Sequence, residues 1–330
     1  MAGKIYQHAK MQSLQAVFTN LYTDLKAAGF TQVLPSTQTA PIVTAGAAKF
    51  VMDSSVTTNA LHATQPFRIL VDIDGATAFA GRLRIAVATP LQITDAGVTT
   101  SFPGPADATG MRTIGQLGKA WNKPTGGAVG DCFVTRNISN KVYDAGTVMS
   151  SILVVTPRGV FFSVWEEGEE LAPMHSMFCV QIPVDKDTGA PLVEDKSPIF
   201  CVFNCDNTGF MKYVVSEADV GRPSRPVTAE KNTLNSNAII NAAQQVSIAR
   251  GNKYLITLPN RLNTERFAYS QELDMFGYVS SDVIGEGSEV SVTLYGEDTP
   301  RVYRALKATG PNNTLVRLMC LVENGGVPAV

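Results

Sequence analysis

The residues of this sequence most able to do chemistry are its clustered acids. Asp72 and Asp74 stand two positions apart in RILVDIDGATAF, after an apolar run and before a glycine. Two carboxylates at the end of a strand could hold a magnesium ion while one of them attacks a phosphate. Glu166, Glu167, Glu169 and Glu170 crowd around one glycine in WEEGEEL, a density of carboxylate that could serve glycoside hydrolysis or hold a cation. In MHSMFC, a strand would turn His175, Met177 and Cys179 to one face, offering the soft nitrogen and sulfur ligands that suit Cu(I). DKDTGAPLVEDK opens like a calcium loop.

Each of these has a plainer reading. LVDIDGA is similar to the nucleophile strand of haloacid-dehalogenase-type phosphatases. That resemblance implies Asp72 as the phosphate-accepting nucleophile, Asp74 as general acid and base, and a magnesium ion between carboxylates and phosphate. It also implies a basic residue on the phosphate and a further acidic pair, typically after Gly-Asp. GDCFVTRN supplies the Gly-Asp without a second acid, and the chain after Gly75 reads as another strand, where that family needs a helix of a parallel α/β array. DIDGATAFAG therefore reads as a hairpin turn, and the magnesium-dependent phosphatase is the disfavoured alternative.

The glutamate run reads as a solvated hairpin tip or a patch meeting a basic partner. Met177 and Cys179 read as core residues and His175 as a half-buried side chain. The calcium pattern puts Gly189 one residue early and Lys196 where a bidentate glutamate belongs, so a hairpin connection between CVQIPV and PLV is the better account. Arg68, Arg82, Arg84 and Arg112 could form a small basic face, read as a solvent-facing or interface row. The five cysteines have no CxxC and no zinc spacing. Cys201 and Cys205 fall on one strand about 13 Å apart, too far to bridge, so the cysteines read as buried thiols. Three histidines, and neither a Gly-x-Ser-x-Gly elbow nor HExxH, leave few parts for acid-base or nucleophilic catalysis. The expectation is a protein without catalytic residues, cofactor or metal.

Composition points to a surface short of charge. Charged residues are 17% of the 330, against about 25% in ordinary soluble domains. No apolar run reaches the ~18 residues of a membrane helix, so contact with neighbouring subunits is the better reason, because interface cores are depleted in Lys, Glu and Asp. A net charge of −2 without long blocks of either sign argues against a dedicated nucleic-acid binder. MAGKIYQHAKMQSL has no apolar core of a secretory signal, so the expectation is synthesis in a reducing cytoplasm.

The elements that must position any site are mostly strands. KMQSLQAVFTNLYTDLKAAG is the clear exception: Met11, Leu14, Val17, Phe18, Leu21, Leu25 and Ala28 follow the 3.6-residue period, and Gly29 supplies a stop. RLRIAVATP alternates, with Leu83, Ile85 and Val87 on one face. SILVVTPRGVFFSVW places Thr156-Pro157-Arg158-Gly159 as a turn between two β-rich runs, and IFCVFNCDNTGFMKYVV repeats the arrangement. NTLVRLMCLVE is apolar on both faces, as a central strand would be, whereas SNAIINAAQQVSIARG reads as a short helix. The predicted fold is mainly β, built of β-sandwich or barrel-like units with an amphipathic N-terminal helix, and with room for an α+β arrangement in the C-terminal part. Residues 1–48 read as arm, helix and extended segment, 49–220 as a β-rich body, 221–237 as a linker and 238–330 as a second β-rich domain. The arm (1–10) and the tail NGGVPAV have no core of their own, and are expected to order only against a neighbour.

Helix LQAVFTNLYTDLKAAGF, then QPFRILVDID, ATPLQITDAGVTT and DTPRVYRALKATGPNNTLVRLMCLVENG, resemble in texture and order the virion structural proteins of tailed bacteriophages, the neck, tail and baseplate components. The resemblance implies a non-enzymatic subunit of a ring or adaptor, made in the host cytoplasm and carried in the virion. Its partners would be further copies of itself and other virion proteins, with no nucleic acid, membrane or small-molecule substrate. Leu14, Val17, Phe18, Leu21 and Leu25 are the residues expected to carry assembly. A β-sandwich recognising a glycan or receptor is the alternative, and would use Trp121 or Trp165 as an exposed platform.

Overall fold

Ser13 and Gly29 bracket the chain's amphipathic stretch, and in the computed structural model they cap helix α1 (Leu14–Ala28) at its two ends. The Ser13 hydroxyl accepts from the Ala16 N–H at 3.1 Å, and Gly29 turns left-handed with φ 104°, the conformation that glycine adopts without a Cβ penalty. The structure describes residues 3–11, 13–37, 39–41, 48–54, 62, 66–74, 82–88, 132–134, 148–167, 176–182, 199–204, 210–216, 234–235, 275–280, 284–292, 300–309 and 316–323. Among them α1 is accompanied by strands alone, in three antiparallel sheets, so the chain is mainly β with an amphipathic N-terminal helix.

Strand β1 (Lys4–Met11) precedes the helix and β2 (Thr31–Leu34) follows it. A five-stranded meander runs in chain order through β2, β3 (Ala48–Asp53), β4 (Arg68–Asp74), β5 (Arg82–Ala88) and β6 (Cys132–Val134). A second meander continues through β7 (Met149–Thr156), β8 (Gly159–Glu166), β9 (Ser176–Gln181), β10 (Ile199–Asn204), β11 (Phe210–Ser216) and β12 (Leu234–Asn235). β1 joins it on the free edge of β7, making seven strands. The arm that the sequence leaves without a core therefore orders inside its own chain, with Lys4 opposite Val155 and His8 opposite Ser151. The last four strands, β13 (Phe276–Ser280), β14 (Glu289–Val292), β15 (Arg301–Thr309) and β16 (Val316–Glu323), lie in the order β13-β16-β15-β14. The first beside the last is Greek-key order, and β16 is an inner strand, as its two apolar faces require.

The seven-stranded sheet is the middle layer. SILVVT and GVFFSVW are apolar at successive positions, so both faces of β7 and β8 must be covered. Leu153, Val155, Phe162, Val164 and Phe178 face α1 and the inner face of the five-stranded sheet, which contributes Phe50, Met52, Ile69, Val71 and Ile85. Ile152, Val154, Phe161, Trp165, Met177 and Cys179 face the other way, onto Phe276, Tyr303, Leu318 and Cys320 of the four-stranded sheet. Burial of each such side chain contributes about 1.5–3 kcal/mol, and the same sheet serves both cores. Thr156 pairs with Gly159 across a two-residue turn, the hairpin the sequence predicts. A Cβ on Gly159 would stand 1.8 Å from the Val180 carbonyl oxygen, so β9 can approach β8 only because this residue is glycine.

Leu14, Val17, Phe18, Leu21 and Leu25, the stripe expected to carry assembly, are all buried in the first of these cores. The reason is geometric: a 3.6-period apolar face fits the groove between two sheets of the same chain as well as it fits a partner. The helix turns Gln15, Thr19, Thr23 and Lys26 outward instead. KYLITL, the helix expected in SNAIINAAQQVSIARG (236–251), the calcium-like loop and the tail lie outside the described residues. Within 221–237, Leu234–Asn235 pairs with β11 as β12.

Candidate functional site

Asp72 and Asp74 lie on β4, and β5 follows antiparallel beside it. Asp72 stands opposite Lys49 on β3 and Arg84 on β5, while Asp74 stands opposite Arg82. At the other end of β4, Arg68 stands opposite Asp53, and its Nε meets Asp53 Oδ2 at 2.6 Å. In backbone register, acidic and basic positions thus face one another across β3, β4 and β5. The turn after Gly75 lies outside the described residues, but the strands on either side of it make the hairpin. Arg112 lies outside too.

Met177 and Cys179 do point the same way, into the second core, where they pack among apolar side chains. His175, Glu169, Glu170 and Trp121 lie outside the described residues. Cys179 and Cys320 are buried thiols outside any disulfide, and burial pushes the Cys320 thiol up to about 12, too high to form a reactive thiolate. Trp165 is 2% exposed and its indole N–H donates to Glu167 at 3.1 Å, so it is a core residue and not a platform for a sugar.

The polar side chains that the fold does bring together line the N-terminal edge of the middle sheet, on both faces. On the helix side, β1 runs antiparallel to α1: the Lys4 ammonium donates to the Ala28 carbonyl at 3.2 Å and His8 Nε2 meets Asp24 Oδ2 at 2.8 Å. Burial raises the Asp24 carboxyl, and the hydrogen bond and charge of His8 pull it partly back. Burial, then the Asp24 charge, raises the Tyr6 hydroxyl. On the opposite face the Ser150 hydroxyl accepts from the Lys10 N–H at 3.1 Å and donates to Glu167. Glu167 also accepts from Lys307 Nζ of β15 at 3.0 Å. Burial works against its charge, yet the donors from Ser150 and Lys307 prevail and hold the carboxyl below its ordinary value. The basic partner of Glu167 is therefore in the same chain, joining the middle sheet to the four-stranded one. Between these networks β1 bulges: its register shifts between His8 and Met11, and Lys10 adopts φ 54°.

His8 with Asp24 is an oriented imidazole–carboxylate pair, able in principle to move a proton. The hydroxyl opposite it on the same face is that of Ser151, which is 2% exposed, so solvent and substrate do not reach it. Ser150 is on the far face. The arrangement does what such contacts do well, which is to hold an edge strand against its sheet and its helix.

Sequence reasoning missed His62, one helical-geometry residue wholly enclosed against Phe67 at 5.3 Å and Phe30 at 6.0 Å between ring centroids. Neither ring nitrogen meets a partner at hydrogen-bonding geometry. Burial lowers its pKa to about 4, with the Thr156 backbone pulling weakly the other way. It also missed the His8–Asp24 pair, for which strand-to-helix antiparallel packing was the missing signal. Comparison with known protein families, with curated proteins and with solved structures gives no match to this chain.

Proposed function

We propose that the chain is a non-enzymatic structural subunit of a large assembly, of the kind that builds rings or adaptors in the neck, tail or baseplate of a phage particle. The observation that carries this reading is the open edge of β1. It is the first strand of the middle sheet, with β7 on one side and no strand on the other among the described residues. Lys4, Gln7, Ala9 and Lys10 along it are exposed. An uncovered edge offers backbone donors and acceptors to an added strand. The charge-poor composition supports the same reading. The His8–Asp24, Ser150–Glu167 and Lys307–Glu167 contacts then serve to set the geometry of that edge. The alternative of a glycan-binding sandwich rests on Trp121, since Trp165 is enclosed.

Light scattering across the size-exclusion peak, with negative-stain images of the same fraction, tests the proposal. A discrete closed oligomer is the expected result. A monomer at all concentrations, alone and with candidate axial neighbours, would overturn it.

A further inference from the structure

Charge is unevenly divided along this chain. Residues 1–52 hold Lys4, Lys10, Lys26 and Lys49, no arginine, and a single acid, Asp24, whereas the remaining residues hold 23 basic and 28 acidic side chains. The one acid is buried and bonded to His8. All four lysines are exposed. Every outward charge of the β1–α1 unit is therefore positive, on a chain whose net charge is −2. Two of these lysines stand on β1, and the Lys4 contact with Ala28 sets that end of the strand beside the last turn of α1, where Lys26 lies over the Tyr22 ring.

A two-fold pairing of β1 with β1 would set Lys4, His8 and Lys10 of both copies against one another, and like charges across strands are destabilising. A head-to-tail contact has no such conflict, because the rest of the chain carries the excess of acid. We infer that the β1–α1 edge is a docking surface for the body of a second copy of this chain, joined head to tail, since residues 53–330 carry 23 basic and 28 acidic side chains and so a net charge of −5. Heterologous contacts of that type close into rings when the rotation permits. Opposite charges on the two surfaces steer the encounter and reject the β1-to-β1 alternative. The inference rests on the assembly reading above and names the partner of its open edge.

The test is self-association of the full chain, measured by sedimentation velocity, for wild type and for the K4E/K10E/K26E variant. The expected result is that wild type assembles and the variant associates on the order of tenfold or more weakly, while K4R/K10R/K26R behaves as wild type. Wild-type association should also weaken as salt rises from about 0.05 to about 0.5 M, a readout that needs no variant to fold. Circular dichroism confirms that the charge-reversed chain is folded. A wild type that assembles equally well at both salt concentrations, or a folded variant that assembles unchanged, would overturn the inference and leave the assembly reading standing. A monomeric wild type overturns both, and if it is retained on heparin through these lysines the face belongs to a polyanion instead.

Discussion

The two faces of the middle sheet are built differently. Toward α1 the core is aromatic: Phe18 and Tyr22 pack on Phe50, with ring centroids 5.0 and 5.4 Å apart, and Phe30, His62 and Phe67 form a second group. Toward the four-stranded sheet sulfur takes a larger share, with Met177, Cys179, Met275, Met319 and Cys320 beside Phe161, Trp165, Phe276 and Tyr303. Aromatic rings demand particular placements, and thioethers fill whatever gap remains. Polar groups differ in the same way. The helix side encloses an imidazole without a good partner, whereas the far side surrounds Glu167 with donors. One side therefore leaves a buried imidazole to desolvation, and the other meets a carboxylate at its edge with donors.

Placing a carboxylate on the aromatic side should break the comparison outright. Leu21→Asp buries a charge where Leu21 is 1% exposed, at a cost of several kcal/mol, and no folded protein should be recovered. A folded, normally dispersed variant by circular dichroism would show that the helix does not depend on that stripe. Acid is the gentler probe of the same side. His62 titrates near 4 folded and 6.5 unfolded. Its neutral form is the one the fold accepts, so its contribution is complete above pH 6.5 and is lost as pH falls toward 4, by roughly 3 kcal/mol. Denaturant melts of His62→Phe at pH 7 and pH 4 should show a smaller drop than wild type, and equal drops would refute the assignment.

On the far side, Glu167→Ala takes a partner from Ser150, Trp165 and Lys307 and should destabilise by about 2 kcal/mol. Because the folded carboxyl lies below its ordinary value of 4.5, its contribution is present above that pH and fades only below it. A pH series should thus lose the helix side before the Glu167 contact. The smallest effect sharpens the contrast: Met177→Leu, a swap of similar volume among adaptable neighbours, should cost under about 1 kcal/mol. A loss of several kcal/mol in a thermal melt would mean that the sulfur-rich core is as exacting as the aromatic one.

What could be seen in the sequence follows from the range of the forces involved. The helix announces itself through a 3.6-residue stripe and its glycine stop, and β5 through Leu83, Ile85 and Val87 alternating with arginines, because each pattern is local. The Thr156–Gly159 and Asp74–Arg82 connections are local too. β1 was hidden because KIYQHAKM has no period, and its place depends on β7, more than a hundred residues away. The apolar stripe of α1 shows that something must cover it without saying whether the cover is another molecule. His62 lacks any local signature, since its enclosure comes from Phe30 and Phe67 on different elements. Trp165 beside four glutamates reads as a wet tip, and only the pairing of Ser150 with Trp165 shows that it lies inside the sheet.

The shared hairpin of β7 and β8 also sets a timetable during translation. Once residue 182 has been made, every described side chain of the aromatic core is in place. The other side, with Ile152, Phe161, Trp165 and Met177, has to wait for residues 275–323. At ribosomal speeds of roughly 5–20 residues per second, that leaves an apolar sheet face incompletely covered for about 7–28 s on each nascent chain, long enough for a chaperone to find it.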